Sequence, residues 1–134
     1  MNRIKLLLSV SLVLALAFGC KPKADPEVGG RLLLSQARAA LNINDYTQAK
    51  QCIEQLRKDF PLALNAREEA ILLLDSVNLA EAHVELQLWE EKLQQPGLSR
   101  IDVDTLDFNR DEAQQKVRFF EKKIEVDKGK LRKH

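Results

Sequence analysis

The sequence predicts an all-α domain: an antiparallel helical hairpin packed on a long third helix, with a fourth, coiled-coil-like helix returning along it. Three observations carry this. Leu, Ala, Glu, Lys and Gln, all strong helix formers, dominate the chain, and its 134 residues include only 5 Gly and 4 Pro. Apolar residues recur at steps of three and four rather than two. Helix-stopping residues stand at Pro61 and at Pro96-Gly97, and they divide the chain into helix-sized pieces.

The hairpin is expected over about 31–61. In its first helix Leu33, Ala37, Ala40 and Leu41 share one face, and Asn42 to Asp45 break the pattern. Asp45 suits an N-cap, with Gln48 three residues on as in a capping box. The second helix runs from Tyr46 to Lys58 with Ala49, Ile53 and Leu56 inward. It ends at Phe60-Pro61, because a residue before proline is pushed out of the helical region. So short a turn makes the two helices antiparallel neighbours.

The third helix is expected over about 63–95. Ala70, Leu74, Val77, Val84 and Leu88 form one line, and Leu79, Ala82, Leu86, Trp89 and Leu93 a second. At 100° per residue the two lines lie roughly 140° apart, so the helix needs a partner on each side. Residues 97–107 read as an extended connection in which Ile101, Val103 and Leu106 pack. The fourth helix is expected over about 108–128, with Asn109 and Glu112 as a capping box and Asp111 at the positive helix end. Ala113, Val117, Phe120, Ile124 and Leu131 then step by fours and threes, interrupted by Asp127, as a coiled-coil-like stripe that covers the Trp89 line.

Two segments resemble known families. The turn Asn44-Asp45-Tyr46-Thr47-Gln48-Ala49 is similar to the Gly-Asp-Tyr-x-x-Ala element of tetratricopeptide (TPR) repeats, with Ala37 at a close-packed position and Pro61 at the place of the closing proline. One repeat of about 34 residues is covered, over about 30–63, and no second Asp-Tyr turn follows. This resemblance implies peptide or protein binding on the concave side of the hairpin. At the other end, Arg3 and Lys5 precede an uncharged run over 6–18 and then Gly19-Cys20. This is the layout of an export signal, and the run of about 13 residues is shorter than the roughly 20 that span a bilayer. Leu16-Ala17-Phe18-Gly19-Cys20 resembles the lipobox of bacterial lipoproteins. That implies a signal peptide over 1–19, cleavage between Gly19 and Cys20, and attachment to membrane lipid through acyl chains such as palmitate on Cys20. Lys21 stands where an inner-membrane retention signal would have Asp, which implies the outer membrane, facing the periplasm, in a Gram-negative cell. Residues 20–30, with two prolines and two glycines, read as a flexible tether.

Few groups suggest chemistry. The chain has 21 basic and 20 acidic residues, and the balance argues against a nucleic-acid binder. His83 reads as a solvated helix residue and Cys52 as a half-buried structural thiol. No metal or cofactor set and no small-molecule site is evident, so the expectation is a non-enzymatic envelope protein whose partners are other envelope proteins. The alternative is a structural lipoprotein that self-associates through its long helices into a dimeric bundle. Leu86, Trp89 and Leu93 are the candidate binding surface if the fourth helix leaves them open, since aromatic anchors dominate many interfaces.

Overall fold

A computed structural model describes residues 25–131; the signal segment, Gly19 and Cys20 lie outside them. Among the described residues there are four helices and no strand: α1 (Pro26–Asn42), α2 (Tyr46–Asp59), α3 (Leu64–Leu93) and α4 (Arg100–Leu131). α1 and α2 form an antiparallel hairpin on α3, and α4 returns along α3, with which it makes the most extensive packing.

α1 starts within the segment expected to be tether. Asp25 caps it, accepting from the Glu27 N–H at 2.9 Å, and Pro26 occupies the first turn, where a missing N–H costs nothing. Gly29 and Gly30 are helical, and their role is close approach rather than flexibility. A Cβ on Gly29 would lie 2.1 Å from the Phe60 ring, and one on Gly30 would lie 2.7 Å from the Ala63 Cβ. This proximity serves a second purpose. The N-cap of α3 is Ala63, which has no side chain to offer, and the Glu27 carboxylate accepts instead from Asn65 N at 2.8 Å and Ala66 N at 3.2 Å.

The hairpin turn lies where expected, but the capping box is only half formed: the Gln48 side chain donates to Cys52 Sγ at 3.3 Å, and Asp45 N donates to the Ala40 carbonyl at 2.9 Å. Asn44 takes the left-handed conformation (φ 60°) that asparagine tolerates, and Asp45 accepts from Gln48 N at 2.9 Å. The core lies between the hairpin and the first half of α3. Leu34, Ala37, Ile53 and Leu56 meet Ala63, Ala66, Ala70 and Leu73 there, and Ala40 and Ala49 close on Val77. Each large side chain buried in this way contributes about 1.5–3 kcal/mol. The alanines let the helix axes approach.

Past Val77 the hairpin ends while α3 continues. The line expected to be covered from Ala70 to Leu88 therefore splits: Val77 is buried, whereas Val84 and Leu88 are 53% and 45% exposed. A 14-residue α2 cannot cover a 30-residue α3.

α4 begins eight residues earlier than the expected start near 108, so Asn109 and Glu112 lie within the helix and do not cap it. Ser99 and Asp102 form a reciprocal capping box: Asp102 N donates to Ser99 Oγ and Ser99 N donates to Asp102 Oδ2, both at 3.2 Å. The stretch expected to be extended is helical from Arg100, and Ile101, Val103 and Leu106 do not alternate across a strand. Ile101 points to solvent, while Val103 and Leu106 join the inward stripe. That stripe then runs Val103, Leu106, Arg110, Ala113, Val117, Phe120, Ile124, Asp127, Leu131 in alternating steps of three and four.

Candidate interaction surface

Because α3 is flanked on both sides, its charges are spread among three neighbours. Its carboxylates take the cations of the outer helices. Glu69 accepts from Arg38 at 2.6 Å, Glu81 pairs with Lys50, Glu85 accepts from Lys116 at 3.1 Å, and Asp75 accepts from Lys123 at 2.5 Å. Asp75 is the one to weigh, since it is 3% exposed and a buried carboxylate is costly unless paired. Lys123 reaches it from α4 and also donates to Asp127 at 3.1 Å, which Lys130 contacts from one turn on at 2.8 Å. Hydrogen bonding to Asp75 holds the Lys123 ammonium above the ordinary lysine range, and Glu85 and Glu112 do the same for Lys116. Lys130, then Lys123, hold the Asp127 carboxyl below the ordinary carboxylate range.

These pairs set the register of α4 and decide the environment of Trp89. Leu86, Trp89 and Leu93 are all half-buried on the side of α3 that faces α4. The Trp89 indole Nε1 is enclosed, with no hydrogen-bond partner among the described residues, and Lys92 Nζ lies 4.1 Å from the ring centroid. The three residues form part of the α3–α4 seam and are not an open patch.

Cys52 is buried in the hairpin core, and its sulfur accepts from Gln48 Nε2 at 3.3 Å. His83 is exposed on α3. Among the described residues no cluster of three or more potential metal ligands occurs, and no helix is long and apolar enough to cross a membrane.

The apolar surface that remains open lies elsewhere. Val84 and Leu88 on α3 continue the hairpin-binding line beyond the hairpin. Val28 and Leu32, one turn apart, stand on the outer side of α1. On α4, Ile101, Phe108, Phe119 and Val126 are 46–78% exposed. Reading the segment before residue 108 as a loop concealed this last set, because its first member then falls outside the helix. The clue available in the sequence was the spacing Ser99-x-x-Asp102, an N-terminal cap signal.

Comparison with protein-family models, with curated proteins and with solved structures finds no match for this chain.

Proposed function

We propose that this chain is a non-enzymatic, lipid-anchored protein of the cell envelope that acts as a helical protein–protein interaction module. The observation that carries the binding role is the unfinished stack on α3. The face that takes the hairpin from Ala66 to Val77 continues with the same apolar character through Val84 and Leu88, and there it meets solvent. A partner helix or extended peptide laid beside the hairpin turn would complete it, in the manner of an amphipathic helix in a groove. Glu81, already paired with Lys50, borders this place and favours a partner with a basic flank.

The likeness to a TPR hairpin supports the same reading. Ala37 and Ala49, which stand at small-residue positions of that motif, are fully buried, and Asn44 adopts the left-handed conformation at the place of the motif's glycine. A solitary repeat needs a neighbour for stability, and here α3 supplies it. Attachment is assigned to acylated Cys20. Several acyl chains, at about 0.8 kcal/mol per buried CH₂, hold a protein stably where one does not. With Lys21 after the cysteine, the proposed address is the outer membrane, facing the periplasm, in a Gram-negative cell.

Two experiments test this reading. A Val84→Glu, Leu88→Glu double variant keeps its helical circular dichroism, because both residues are exposed, and it loses the envelope proteins that co-purify with wild type. Unchanged recovery of those proteins would remove the proposed surface. A Cys20→Ser variant leaves the membrane fraction; if it still sediments with membranes like wild type, the anchor assignment is wrong.

A further inference from the structure

α4 has two apolar lines. One faces α3. The other consists of Ile101, Phe108, Phe119 and Val126, exposed at 78%, 70%, 60% and 46%. At 100° per residue these four fall within about 20° of a single line, roughly 150° from the stripe that packs on α3. The line therefore points away from the rest of the molecule, and no other described element covers it. Phe119 is also held in place, packed edge-on against Phe120 with centroids 5.1 Å apart.

Two features of the line say what covers it. Its spacing reads the same from either end: seven residues, eleven, then seven. Such a line is self-complementary in antiparallel order about a two-fold axis between Ala113 and Gln114. Ile101 then meets the partner's Val126, and Phe108 meets the partner's Phe119. The charges follow the same symmetry. From Arg100 to Ala113 the helix carries five acidic and two basic residues, and from Gln114 to Leu131 it carries six basic and three acidic. Antiparallel pairing lays the acidic half on the basic half of the partner, whereas parallel pairing would set like on like.

We infer that the outer face of α4 binds a second copy of this chain in antiparallel register, with Phe108 of each copy against Phe119 of the other. The contact is about 38 Å long at 1.5 Å per residue. The two aromatic side chains of each copy, each able to bury on the order of 150 Å², supply about 300 of the roughly 800 Å² per partner of a stable interface, and the side chains that flank a contact of this length supply the rest. The order of layers becomes hairpin, α3, α4, then the same elements reversed. The face on α3 at Val84 and Leu88 stays free in such a dimer, so this inference does not rest on the proposed adaptor role or on the anchor.

Thr105 and Lys122 are exposed residues that oppose each other only in the antiparallel register. The full chain is therefore produced in two tagged forms, Thr105→Cys and Lys122→Cys, and whole cells are oxidised. The expected result is a disulfide-linked dimer when the two forms are co-produced and none beyond the unsubstituted control when either is produced alone. Adding Phe108→Glu should lower the crosslinked dimer by roughly tenfold, the loss expected for about one hot-spot contact. Crosslinking of Thr105→Cys with itself would mean parallel pairing and would overturn the inference. Absence of a crosslink between the two co-produced forms would mean that another molecule or solvent covers this face, and would overturn it equally. The Val84, Leu88 experiment reads a different face, so either proposal can fail while the other stands.

Discussion

The hairpin and the α3–α4 seam bury side chains by different means. Between the hairpin and α3, Leu34, Ile53 and Leu56 are 0–1% exposed among alanines that are fully enclosed, and the contact is apolar. Along the seam only Ala113 and Val117 of α4 are buried, most apolar side chains stay half-exposed, and the helices are joined by Lys116–Glu85 and Lys123–Asp75. The first region is specified by shape and the second by charge register. An apolar core resists pH and salt but not the loss of volume. A charged seam tolerates small losses of volume, but it responds to whatever neutralises or removes one partner.

The hairpin is the region most sensitive to lost volume. Leu56→Ala opens a cavity in a site with no exposure and should cost about 2–5 kcal/mol, read as a lower urea midpoint with unchanged slope. The seam should lose less. Lys123→Ala leaves the Asp75 carboxylate buried without its cation and should cost on the order of 2 kcal/mol, below the 3–5 of a fully buried pair because the lysine is a third exposed. Asp75→Leu removes the need for the cation and should be near neutral or stabilising. Hydrogen exchange, followed separately in α4 and α2, locates both effects, and a Lys123→Ala loss appearing in α2 rather than α4 would blur the distinction.

The pH dependence sharpens it. Lys116 and Lys123 are held above the ordinary lysine range, so their contribution is complete at neutral pH and is lost as pH rises through those elevated values. Asp127 is held below the ordinary carboxylate range, so its contribution is present at neutral pH and is lost as pH falls through that lowered value. Trp89 fluorescence should therefore change at both pH extremes before the helical signal of the hairpin does. The smallest effect is at the start of α4: Ser99→Ala removes one half of the reciprocal cap and should cost about 1 kcal/mol, visible as faster exchange at Asp102 and Val103.

What the chain discloses before folding depends on how local each signal is. Asp45-x-x-Gln48, Phe60-Pro61 and the steps of three and four act within a few residues, and the hairpin, the two-faced α3 and its return by α4 were legible from them. The start of α1 was not, because Gly29 and Gly30 are flexible by composition, and only the Phe60 ring and Ala63 explain them. The start of α4 was hidden by the alternation of Ile101 and Val103, which a two-residue period and a helix with one exposed and one inward residue fit equally. Asp75 gives no local sign of burial, since its partner Lys123 is 48 residues away. Trp89 stands on a line of α3 that needs a partner, but its surroundings follow from the register of α4, which is set by those same distant ion pairs.

The proposed contact with another protein lies at the uncovered end of the α3 stack. The most direct measurement replaces Leu88 with a photocrosslinking residue in the full chain, in membranes of the producing cells, with Gln55 on the outer side of α2 as the comparison site. A discrete crosslinked protein species is expected from position 88 and none from position 55. No product from position 88, or the same products from both positions, would contradict it.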